Sequence, residues 1–289
     1  MRRRSFGKIS RKALWARPLL FLGALGVILS GCSAGEERQI PKLPGMKLVW
    51  HDEFDKNGLP DSSKWGYDVG GGGWGNDELE YYTEARQENV MVKDGYLTIT
   101  ARKEAYEGHD YTSTRLVSRG KGDWKYGHIE VRAQVPTGIG VWPAIWMMPT
   151  ESKYGGWPSS GEMDLMEHVG FEPGVVHATV HTEKYYWKKN NQKSAQTSVP
   201  DADRAFHVYA LDWTPSEVRM SVDGQVYFTY APGPEDQGDG SRAWPFDQAF
   251  HLILNIAVGG SWGGQQGVDD SIFPRSMVVD YVRVYQPER

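Results

Sequence analysis

Apolar and polar residues alternate with a period of two along most of the chain. Leu97, Ile99 and Ala101 alternate with Thr98, Thr100 and Arg102, and Ile129, Val131, Ala133 and Val135 alternate with His128, Glu130, Arg132 and Gln134. Neighbouring side chains of a strand point to opposite faces, so this pattern predicts strands with one buried face. A third stretch sets Val278, Asp280, Val282 and Val284 against Val279, Tyr281, Arg283 and Tyr285. Asp94-Gly95 and Asp223-Gly224 interrupt the pattern. Both central residues of a type I′ turn need positive φ, so each pair predicts a hairpin. No long helical periodicity competes with the strands. The expected fold is therefore all-β, a sandwich of two packed antiparallel sheets. The glycine-rich segments 70–73 and 259–267 are expected as loops at its rim.

The first 31 residues stand apart from this pattern. Arg2, Arg3, Arg4, Lys8, Arg11, Lys12 and Arg17 precede a short apolar stretch at 19–30, then Gly31-Cys32. A basic start, a short apolar run and small residues make a secretory signal. This one resembles the bacterial lipoprotein signal, which implies that Cys32, the only cysteine of the chain, carries the lipid. The expected organisation is a signal at 1–31, a lipidated Cys32 with a polar tether at 32–45, and one domain at 46–289. A lipid anchors without spanning, and no apolar run approaches the ~20 residues of a membrane helix. The localisation expected is export to the cell envelope, with Ser33 after Cys32 favouring the outer membrane or cell surface.

Removing the signal leaves 25 basic against 37 acidic residues, a net of −12. Nucleic acid needs a basic footprint, so it is excluded as a partner, and sulfated polysaccharides are disfavoured. One cysteine rules out a disulfide scaffold or a cysteine zinc site. No amphipathic helix suggests assembly, so a monomer is expected. The 12 Trp, 15 Tyr and 9 Phe instead suggest an aromatic surface suited to a neutral ligand.

The chemistry concentrates in GEMDLMEH, residues 161–168. On a flat strand Glu162 and Asp164 share a face and Glu167 does not. A one-residue β-bulge around Leu165-Met166 would return Glu167 to that face. Three neighbouring carboxylates raise one another's pKa, as glycoside hydrolysis requires of an acid/base and nucleophile pair. Spacing alone leaves a solvated strand edge or a calcium site open. Tryptophans surround the acids: Trp142 and Trp146 in VWPAIWMMP (141–149), then Trp157 and Trp262. Indole faces offer large rigid area to the apolar faces of sugar rings, although any one of them could be a core residue.

The E-x-D-x-x-E run resembles the signature of glycoside hydrolase family 16 in its bulged, laminarinase-like form. The resemblance extends through WHDEF (50–54), GWGNDELEYYT (73–83), NV (89–90), DGYL (94–97), YG (126–127), Arg132, NIAVGG (255–260) and VDYVRVY (279–285). It departs at Thr114, where glycine would be expected, and at the variable Asp77. It implies a β-jelly roll, like concanavalin A, with a concave cleft, and retaining endo-hydrolysis of β-1,3-glucan such as laminarin. It implies Glu162 as nucleophile, Glu167 as acid/base and Asp164 as the residue tuning the nucleophile. Asn76 and Arg115 would bind sugar hydroxyls, and Trp142, Trp146 and Trp157 would stack on the glycone. His181 would stand near the acid/base and leaving group, with Asn255 and Trp262 bounding the other end. No cofactor is implied for catalysis. A structural Ca2+ is implied at Glu53, the carbonyl of Gly95 and Asp280, with a salt bridge as the other reading of Asp280. Other substrates on the same scaffold are mixed-linkage glucan, agarose or another galactan. A non-catalytic glucan-binding protein is a further reading, but both glutamates argue against it.

Overall fold

A computed structural model describes residues 39–288. The chain divides into two units, Met1–Pro41 and Lys42–Arg289. The expected signal and Cys32 lie outside the described residues. Among the described residues, the second unit holds all the strands.

Two sheets face each other across one apolar core. The larger, of ten strands, runs in the order Gln225–Tyr230, Val218–Val222, His207–Trp213, Gly127–Gln134, Arg275–Pro287, Tyr96–Tyr106, His109–Ser113, Glu80–Tyr82. Met46–Asp52 pairs with Arg275–Pro287 and Val90–Lys93 with Tyr96–Tyr106. The smaller, of eight, runs Lys193–Ser198, Val175–His181, Glu162–Glu167, Val141–Pro149, Phe250–Val258, Arg115–Val117, Gly66–Asp68, with Asp123–Trp124 against Phe250–Val258. Pairing is antiparallel except between Glu80–Tyr82 and His109–Ser113, which run parallel. Helical structure among the described residues is confined to three-residue 3-10 turns. None of their helices is long and apolar enough to cross a membrane.

The alternation reads directly into burial. Leu97, Ile99 and Ala101 face the core, as do Ile129, Val131, Ala133 and Val135. The smaller sheet answers with Ile145, Met147, Met163, Val176, Val180, Leu252, Leu254 and Ile256 in the same cluster. Phe250–Val258 is buried along its whole length, and only His251 and Asn255 break its apolar run. Both predicted hairpins form: Asp94 and Gly95 take φ of 54° and 83°, Asp223 and Gly224 take 51° and 76°.

The last strand departs from the expected parity. Met277 and Val279 are buried, and so are Val282 and Val284, while Val278 is not. The register with Gly127–Gln134 shifts between Val279 and Tyr281. Asp280 is the extra residue, and its bulge moves the apolar set from odd to even positions.

Candidate active site

Gly161 turns the chain into the strand of acids. Its φ of +87° suits glycine, and an added Cβ would lie 2.7 Å from Cγ of Pro245. In the strand Glu162–Glu167, Ala144 pairs with Glu167 and Ile145 with Met166, but Trp146 pairs with Asp164. Leu165 is therefore the extra residue of a bulge. On the other side Asp164 pairs with Thr179 and Glu167 with His177. The bulge brings Glu162, Asp164 and Glu167 to one face, where all three line a cleft of about 770 Å3. Met163, Leu165 and Met166 are all buried in the core.

Each glutamate accepts from a tryptophan. The Trp157 indole N–H donates to Oε2 of Glu162 at 2.7 Å, and that of Trp142 to Oε1 of Glu167 at 3.2 Å. Burial raises all three carboxyls above their usual range, Asp164 well above it. The charge of Glu162 raises Glu167 further, while Trp157 and the cation of Arg115 favour the anion of Glu162. Both glutamates are thus raised, Glu167 further than Glu162, to about 8 against about 7. Burial, then the charges of Glu162 and Glu167, favour the protonated form of Asp164.

His181 stands elsewhere than expected. It pairs with Glu162 in the sheet, and its Nε2 lies 3.7 Å from both Glu162 Oε1 and Asp164 Oδ2. Burial lowers its pKa to about 4, so the imidazole is neutral. The histidine opposite Glu167 is His177, whose ring meets Trp262 edge-on at 4.9 Å. Ligand atoms of Glu162, Asp164 and His181 lie within 4.8 Å of one another and could hold a cation. One Glu162 oxygen is already claimed by Trp157.

The tryptophans do more than present faces. Trp146 donates its N–H to Oδ1 of Asn255 at 2.7 Å. Asn255 donates to the Tyr82 hydroxyl at 2.9 Å, and that hydroxyl donates to Glu78 at 3.1 Å. Asn76 donates to the other Glu78 oxygen at 3.0 Å. Arg115 lies between the rings of Trp74 and Trp146, 4.6 Å from each, with Nε 3.2 Å from Asp68. Trp262 packs edge-on against Trp142 at 5.4 Å. The cleft therefore brings together Asn76, Arg115, Trp142, Trp146, Trp157, His181, Asn255 and Trp262 with the three acids. Sequence reading missed Glu78, Trp74, Trp187 and Lys188, which line it too. Glu78 sits in the same GNDELE run as Asn76, and Trp187 in an aromatic run, YYW, within a polar segment.

The suggested calcium residues lie outside this cleft. Glu53 accepts a two-pronged bond from Arg283, at 2.9 and 2.8 Å, and Asp280 pairs with Arg132. Their carboxylates are neutralised by arginine, an arrangement that does not fit a cation held between the two side chains.

A cleft lined with indoles around two glutamates of unequal proton affinity defines a glycoside hydrolase. The chain belongs to the glycosyl hydrolases of family 16, whose family model matches residues 77–283. It is 56% identical to a beta-glucanase of Rhodothermus marinus over 263 residues, which are 90% of this chain and 92% of that protein. The solved laminarinase from Rhodothermus marinus superposes with a TM-score of 0.82 at 56% identity, over 86% of this chain and 100% of that one. A non-specific endo-beta-1,3(4)-glucanase co-crystallised with 1,3-beta-D-cellotriosyl-glucose gives a TM-score of 0.80 at 45% identity, over 87% and 98% of the two chains.

Proposed function

We propose that the protein is an endo-acting β-1,3-glucanase that cleaves by double displacement with retention of configuration. The observation that carries this reading is the bulged strand, which sets Glu162 and Glu167 on one face, with the carboxyl of Glu167 raised further than that of Glu162. The Glu162 carboxylate attacks the anomeric carbon while Glu167 gives its proton to the departing glycosidic oxygen. A glycosyl ester forms on Glu162 and the aglycone leaves. Water then gives a proton to Glu167 and attacks the same carbon, releasing the sugar and restoring the Glu162 carboxylate. Asp164, holding a proton toward Glu162, steadies the carboxylate as its charge changes. The laminarinase and glucanase relatives favour a β-1,3-linked glucan as substrate.

The test is the size distribution of products from laminarin, mixed-linkage glucan and agarose, with the anomer followed by NMR. Short β-anomeric oligosaccharides from laminarin are expected. Glu162→Gln and Glu167→Gln should each lower kcat by about 10²–10⁴. Products from agarose alone would overturn the substrate, and α-anomeric products would overturn the mechanism.

Export and anchoring through Cys32, and action as a monomer, belong to the same proposal. The basic and apolar start of the chain supports the first, and palmitate labelling of Cys32 would test it. Glu53 and Asp280 act in it as arginine partners rather than calcium ligands. Chelation should then leave the Tm unchanged, and a fall of several degrees restored by Ca2+ would reverse that assignment.

A further inference from the structure

The cleft continues past the carboxylates. On one flank it crosses Val175–His181 and reaches Gln192 and Ser194, with Trp187, Lys188 and Asn190 along its wall. None of these residues serves the chemistry described above. Trp187 is 39% exposed, and Trp157 across from it 37%. A tryptophan has 150–250 Å2 to bury, so two left open in one groove leave a large apolar area for a ligand.

The lysine between them is distinctive. Lys188 Nζ stands 5.1 Å from the ring of Trp187 and 5.9 Å from that of Trp157. Nearby cations are engaged elsewhere: Lys184 with Asp236 and Asp239, and Lys189 with the carbonyl of Glu183. Lys188 forms no ion pair among the described residues, and two ring faces compensate its charge. It therefore keeps hydrogen-bond donors for a neutral ligand.

The segment is also held in place. Trp187–Lys189 forms a 3-10 turn closed by Asn190 in the left-handed region. Asn191 ties its two ends, accepting from the Tyr186 N–H at 3.1 Å and donating to the Lys184 carbonyl at 3.1 Å. An exposed ring fixed in advance loses little freedom on binding.

We propose that Trp187 and Lys188 form a separate saccharide subsite, which takes one further neutral pyranose unit of a glucan chain lying in the cleft. The sugar stacks on Trp187, and Lys188 donates to its hydroxyls. The subsite rests on the glucanase reading for its ligand and sets how much chain length adds to binding.

The test is kcat and KM on β-1,3-gluco-oligosaccharides of increasing length for wild type, Trp187→Ala, Trp187→Phe and Lys188→Ala. The readout is the ratio of kcat/KM on long to short chains. Trp187→Ala should lower that ratio about tenfold, through KM, and Lys188→Ala about threefold. Trp187→Phe, which keeps a ring, should recover part of it. An unchanged ratio overturns the subsite, and so does an equal loss at every length with a lowered Tm. If the wild type cuts no β-1,3 chain, the glucanase reading fails by itself. The subsite is then judged by fluorescence titration with the same oligosaccharides: a length dependence lost in Trp187→Ala keeps it, and identical curves overturn it.

Discussion

Asp164 is 2% exposed and lies between two glutamates, with its carboxyl raised well above the usual range by burial and by their charges. Such a group ties stability to pH with a definite sign. The unfolded chain releases this proton near pH 4, whereas the folded site retains it. At this group the folded state binds more protons, so its contribution to stability is full in acid and declines as pH rises above about 4. Asp164→Asn removes that demand while keeping the shape. Calorimetry should show the variant gaining on wild type between about pH 4 and 7, by roughly 2–6 °C in Tm. Equal melting at both pH values would mean that Asp164 is not held protonated.

The decisive element is the strand Glu162–Glu167 with its single extra residue. Because side-chain direction alternates, one inserted residue exchanges the faces of everything beyond it. Deleting Leu165 leaves the second glutamate four positions after Glu162, so on an unbulged strand it keeps the cleft face and hydrolysis should survive, unlike in Glu167→Gln. Truncating the same residue is a different experiment. Leu165→Ala leaves the bulge and removes buried volume, so it should cost about 2–5 kcal/mol in urea unfolding with the acids still aligned. Loss of hydrolysis in the deletion variant as complete as in Glu167→Gln would show that sharing a face is not enough and that the bulge itself positions the acid. The same device recurs at Asp280, where the extra residue delivers a carboxylate to Arg132.

Over the whole molecule, the cleft lies across the smaller sheet rather than along one strand. Its lining comes from strands between Lys193–Ser198 and Arg115–Val117 and from the 74–78 and 261–265 loops. A polymer crossing it meets indole faces and hydrogen-bonding groups at successive strands, which suits cleavage within a chain. Residues 32–289 carry a net charge of −12, yet a neutral glucan feels no field from it. Initial rates on laminarin should therefore change less than twofold between about 0.05 and 0.5 M NaCl, where screening alters greatly. A steep salt dependence would indicate a charged substrate.

Strand positions, the two hairpins and the catalytic bulge were legible along the chain, because all three rest on neighbours within a few residues. Leu97, Ile99 and Ala101 declare a buried face by alternation alone, and the odd parity of Glu167 required a bulge if the acids were to share a surface. The parity of Val278 was misread because the bulge at Asp280 arises from the partner strand Gly127–Gln134. The partner of His181 was not legible in the same way. The register that sets His181 against Glu162 and His177 against Glu167 is a property of two strands together. The Trp142 donor on Glu167 and the Glu78–Tyr82–Asn255–Trp146 chain likewise join distant segments. Local geometry specifies which residues point the same way, and only pairing between strands decides which of them meet.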